Sequence, residues 1–125
     1  MKKILATAAA PAAIGPYSQG VEAGGLVITS GLLPIDPATG AFAEGGIAEQ
    51  TRQSLENVKA ILAQAGLGME NIIKTTVFLK DMNDFAAMNE AYAAFFPSNP
   101  PARSAVEVAR LPKDASVEIE AIAAR

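Results

Sequence analysis

Pro100-Pro101-Ala102-Arg103-Ser104-Ala105-Val106-Glu107-Val108-Ala109, followed through Leu111-Pro112-Lys113-Asp114 by Ser116-Val117-Glu118-Ile119-Glu120-Ala121-Ile122-Ala123, is the stretch on which the fold turns. The two prolines stiffen its entry. Residues 102–109 and 116–123 then read as strands, because side chains two apart share a face. Arg103, Ala105 and Glu107 oppose Ser104, Val106 and Val108, while Glu118, Glu120 and Ile122 oppose Val117, Ile119 and Ala121. The short connection favours an antiparallel pair of these two strands, which brings the guanidinium of Arg103 near a carboxylate.

Upstream, residues 72–80 are rich in Ile, Thr, Val and Phe and predict another strand. A helix precedes it over 48–65, where Leu55, Val58, Ile61, Leu62 and Ala65 form one stripe that Gly66 ends. A second helix follows, with Phe85, Met88, Tyr92 and Phe95 at helical spacing, a cap among Asp81, Asn83 and Asp84, and Pro97 as its stop. Near the amino terminus, residues 4–7 predict a short strand, and Gly24-Gly25 separates 20–23 from 26–29 as a hairpin. Residues 34–46, with two prolines and three glycines, read as a loop. The order strand, strand, strand, helix, strand, helix, strand, strand predicts an α+β fold, a mixed sheet with two helices on one face.

The chain has 125 residues, enough for one core, so a single domain over 1–125 is expected. Half the residues are hydrophobic and 18% are charged, against roughly 25% in an average soluble domain, so a self-associating surface is expected too. The net charge of -3 offers no general attraction to a polyphosphate or an anionic bilayer, and neither nucleic acid nor membrane is an expected partner. No apolar run approaches the roughly 18 residues of a membrane span, and the cytoplasm is the default compartment. Cys and His are both absent. Thiol nucleophiles, Cys/His zinc sites and Ser-His-Asp arrangements are therefore excluded, and no metal or cofactor is expected. Acid–base chemistry falls to Asp, Glu, Lys, Tyr or ordered water.

Arg103 leads the candidates, since its fork grips a carboxylate or phosphate through two parallel hydrogen bonds. The plain alternative is an exposed cross-strand ion pair with Glu118, common and individually weak. Tyr17, between Gly15-Pro16 and Ser18, places a ring and hydroxyl over a pocket or simply packs. Ser30-Gly31 closes a strand with backbone able to meet a ligand, or is a plain turn. Asn89 lies beside the aromatic stripe of the second helix, as a ligand contact or a boundary amide. Glu44-Gly45-Gly46 matches no phosphate-binding fingerprint.

Several runs together resemble the RidA/YjgF family of imine deaminases. They include residues 12–20, Ala-Ala-Ile-Gly-Pro-Tyr-Ser-Gln-Gly; 28–31, Ile-Thr-Ser-Gly; 51–58; 74–81; 83–85; 95–96; 101–104, Pro-Ala-Arg-Ser; 106–113; and 118–121, Glu-Ile-Glu-Ala. The resemblance spans almost the whole chain in order. It implies a chorismate-mutase-like α+β fold assembled as a homotrimer, with ligand clefts between neighbouring subunits. It also implies hydrolysis of 2-iminopropanoate and 2-iminobutanoate, small imine or enamine acids, to the 2-keto acid and ammonia. Carried over by position, it puts carboxylate binding on Arg103, water handling on Glu118, and substrate contacts on Tyr17, Ser30, Gly31 and Asn89. Many relatives carry Cys after the Arg-Ser pair where this chain has Ala105, so thiol-based regulation has no residue to act through.

Two other classes remain open on the sequence. Some relatives bear an endoribonuclease label, although no aromatic and basic pattern for RNA accompanies it here. A trimer that binds small carboxylates without turning them over is the third reading.

Overall fold

Gly24 and Gly25 take φ of +59° and +78°, a left-handed pair that glycine adopts without strain and that makes a two-residue turn. That turn joins β2 (Gly20–Ala23) to β3 (Leu26–Thr29), with Ala23 opposite Leu26. In the computed structural model, which describes residues 1–125, the remaining elements are β1 (Lys3–Leu5), α1 (Ile47–Ala63), β4 (Ile72–Leu79), α2 (Phe85–Ala93), β5 (Ala102–Glu107) and β6 (Val117–Ala124). All the predicted elements form, most with ends shifted by one or two residues. Glu49 accepts a hydrogen bond from the N–H of Gly46 at 3.0 Å and secures the start of α1. Leu55, Val58, Ile61 and Leu62 on that helix are fully buried, as their spacing predicts.

The six strands form one mixed sheet in the order β1-β2-β3-β6-β4-β5. This corrects the expected pairing of the last two strands. β4 lies between them, antiparallel to β6 and parallel to β5, with Ala121 and Arg103 flanking Thr75 on either side. The reason lies in burial. The alternate residues Val117, Ile119, Ala121 and Ala123 of β6 are almost wholly covered, and β6 takes partners on both edges. β5 is exposed at most positions and sits at the rim. The connection from β5 crosses the end of β4, held as Val108 N–H donates to Leu79 O at 2.9 Å and Lys80 N–H to Ser116 O at 3.0 Å.

Both helices pack on one face of the sheet, over Val77, Leu79, Val117 and Ile119. The other face is open. Ile4, Ile28 and Val106 are 52%, 43% and 44% exposed on it, aligned in register with Val21, Ile122 and Phe78. No helix is long and apolar enough to cross a membrane.

Candidate active site

Gly31 sits where the β3–β6 pairing is interrupted. Ile28 pairs with Ile122 and Leu32 bridges Ile119, so four steps along one chain match three along the other. The extra residue bulges. Thr29 Oγ1 accepts the N–H of Ala121 at 3.0 Å and repairs the ladder below the bulge, and Leu32 N–H donates to Ile119 O at 2.8 Å above it. The bulge presses Gly31 against Glu118. A Cβ there would lie 2.7 Å from both Cδ and Oε2 of Glu118, so any other side chain at this position would displace the carboxyl from where it now sits.

Glu118 shares a cleft of about 850 Å³ with Gly31, Ser30, Tyr17 and Lys113, walled by Ala10 and Pro11 of the amino-terminal loop. Partial burial raises the Glu118 carboxyl above its ordinary value, and the neighbouring charge of Glu120 adds to the effect. No donor of the chain hydrogen-bonds to it. The arrangement suits a carboxylate that takes a proton from water and gives it back. A second hollow of about 580 Å³ opens toward the uncovered face and shares Tyr17 and Ser30 with the first.

The supports of this cleft include a residue that spacing could not reveal. Gln19 is 6% exposed and ties the loop to β2 with its amide. Its Oε1 accepts from Thr7 N–H at 2.7 Å, while Nε2 donates to Thr7 O, Ala10 O and Pro11 O at 3.0, 3.3 and 2.7 Å. Ser30 donates its hydroxyl to Ser18 O at 2.6 Å, so its proton is committed to holding the Tyr17 loop. Tyr17 is half exposed, and its hydroxyl accepts from Ile14 N–H at 3.4 Å. Lys113 reaches the cleft from a left-handed backbone, φ +56°.

Arg103 and Asn89 stand elsewhere. Arg103 Nη1 donates to Asn89 Oδ1 at 2.7 Å, and the guanidinium lies over the rings of Phe85 and Tyr92 on the helix side of the sheet. Glu118 alternates to the open side, beside Phe78. Three residues along β4 and two strand spacings across it separate Arg103 from Glu118, roughly 14 Å between their Cα atoms by ordinary sheet dimensions. The expected convergence of the two within one chain is therefore corrected. The cross-strand ion pair does not form either; the ion pairs are Arg52–Glu49, Lys80–Asp114 and Arg125–Glu22. No three acidic side chains gather in a way that could hold a metal ion.

Comparison with known proteins matches residues 7–125 to the family described as Endoribonuclease L-PSP. A 2-iminobutanoate/2-iminopropanoate deaminase of Salmonella typhimurium is 62% identical over 128 aligned positions, covering 100% of this chain and 99% of the relative. The crystal structure of the YjgF gene product from E. coli is 59% identical and superposes with a TM-score of 0.95, covering 98% of each chain. E. coli TdcF with bound serine is 55% identical with a TM-score of 0.94, again over 98% of each chain.

Proposed function

The chain belongs to the Endoribonuclease L-PSP family, the group of the RidA/YjgF proteins, and on that premise we propose that it hydrolyses 2-iminopropanoate and 2-iminobutanoate to 2-keto acids and ammonia. The observation that carries the reading is Glu118. It is a carboxyl without a partner, raised by burial, seated against a glycine in a cleft. A protonated imine is electrophilic enough to take water without a metal or a covalent nucleophile. Water adds to the imine carbon as Glu118 accepts its proton, giving a carbinolamine. Glu118 returns that proton to nitrogen, the C–N bond breaks, and ammonium leaves with the hydroxyl proton as the carbonyl forms. Backbone groups at Gly31 hold the imine nitrogen, and Tyr17 and Ser30 line the approach.

Arg103 and Asn89 complete the site from a neighbouring copy. Lys113 brings a single ammonium to the Glu118 cleft but not the two-donor fork that a planar carboxylate takes, and the Arg103 fork, which can supply it, has no acidic partner in its own chain. A homotrimer joined through the open sheet face brings the two halves together and covers Ile28 and Val106. Clamping the carboxylate fixes the reacting carbon, an effect worth several kcal/mol in favourable cases.

The test couples the purified protein to a threonine dehydratase and follows keto-acid release. Acceleration beyond the unassisted imine lifetime is expected in the native protein and none in Arg103→Ala; an unchanged native rate overturns the reading. Sedimentation checks the assembly. Three 12.9 kDa chains are expected together, and Ile28→Glu should separate them and remove the activity with them.

A further inference from the structure

Phe85, Asn89 and Tyr92 occupy positions i, i+4 and i+7 of α2, one row of the helix carrying a ring, an amide and a ring. All three meet the same guanidinium. The Cζ of Arg103 lies 5.5 Å from the Phe85 ring centroid and 4.7 Å from that of Tyr92, and its Nη1 donates to Asn89 Oδ1 at 2.7 Å. Tyr92 is itself fixed from behind. It is 5% exposed, its hydroxyl lies 2.7 Å from Thr75 Oγ1, and the Phe96 ring packs at 4.7 Å. Thr75, 1% exposed, is also the residue opposite Arg103 on β4, so strand and helix brace one another at this point. Burial pushes the Tyr92 phenol up, so at neutral pH it presents a neutral ring to Arg103.

We propose that the row Phe85, Asn89 and Tyr92, braced by Thr75, is a cradle that holds the Arg103 fork ready for a planar carboxylate, which makes Phe85 and Tyr92 positioning residues. This rests on the reading of Arg103 as the carboxylate anchor. A free arginine has several rotatable bonds and must give up that freedom when it binds. Here the rings carry the flat face of the guanidinium and Asn89 takes one N–H, leaving the other four N–H donors without a partner in the chain. An ammonium cannot use two ring faces and an amide in this way, so Arg103→Lys keeps the charge and loses the orientation.

The test measures KM and kcat in the coupled assay, together with the affinity for 2-oxobutanoate by calorimetry, in the full-length protein. Tyr92→Leu should raise both KM and the dissociation constant about 3- to 30-fold, the range of a cation–π contact, with kcat within about 3-fold of the native value. Tyr92→Phe keeps the ring and should recover most of the affinity. Loss of binding in Arg103→Ala with native binding in Tyr92→Leu overturns the cradle and leaves the anchor standing. Native binding and turnover in Arg103→Ala overturn the anchor itself. If Tyr92→Leu does not fold, Phe85→Leu on the partly exposed side of the row carries the test alone: a raised KM supports the cradle and an unchanged one overturns it.

Discussion

The Gly31–Glu118 half of the site and the Arg103–Asn89 half are built by opposite means. At Gly31 the main chain bulges until a missing Cβ makes room for a carboxyl, and the result is a half-buried group whose proton affinity is raised. At Arg103, side chains at helical spacing reach across to a rim strand and hold a half-buried cation between rings and an amide. In the proposed reaction the first half handles a proton, and the second holds the substrate in position. One added methyl at Gly31 moves the carboxyl as a whole, whereas a cradle of several side chains is expected to lose its hold in steps.

That contrast orders the experiments. Glu118→Gln removes the proton acceptor and should slow turnover by about 10² to 10⁴, with the assembly preserved. The acid limb of the native rate profile, set by a carboxyl titrating above 4.5, should vanish with it. A surviving limb would assign the proton to another group. Next, Gly31→Ala places a methyl where the Glu118 carboxyl lies, and displacement of that group should cost about 10- to 100-fold in kcat. Native turnover in Gly31→Ala would show that the close approach is dispensable. It would also blur the distinction between the halves.

A smaller effect on rate, and a larger one on stability, is expected from Gln19→Leu. It leaves Thr7 N–H and the carbonyls of Thr7, Ala10 and Pro11 without their partner, at a cost of about 2 to 4 kcal/mol. Chemical denaturation measures the loss. Hydrogen exchange at Thr7 localises it. Because Gln19 supports only the Glu118 side of the site, 2-oxobutanoate binding through Arg103 should weaken less than turnover falls.

The halves also differ in how far they could be read in advance. Phe85, Met88 and Tyr92 showed their helix through spacing, and the two turn glycines fixed the β2–β3 hairpin. Alternation assigned the faces of β5 and β6 correctly. What it could not supply was the order of strands, because inserting β4 leaves every local pattern unchanged, and the pairing of β6 with β3 on one edge and β4 on the other is a long-range choice. The same gap misplaced Arg103 relative to Glu118. The stripe of α2 showed only a helical spacing; that Tyr92 is covered and that its ring also faces a cation depends on β5 lying beside β4. Gln19 gave no periodic signal, since its four bonds run to loop backbone.

The last and smallest effect separates chemistry from stability at Glu118. Burial and Glu120 raise its folded pKa above the ordinary 4.5, so the folded chain holds this proton more tightly than the unfolded chain does. Protonation therefore favours folding below the unfolded value, and that contribution is lost as the pH rises through the folded one. On that direction of shift, ionising the carboxyl near neutrality works against the fold, as expected of a group that the proposed reaction uses as its base. Glu118→Gln should then be slightly more stable than the native protein at pH 7, with the difference closing as the pH falls from the raised folded value to the ordinary one. Thermal midpoints across that range check it. A variant less stable at pH 7 would mean that the ionised group is held by a favourable contact, and the contrast between an unpartnered carboxylate and a braced cation would fail.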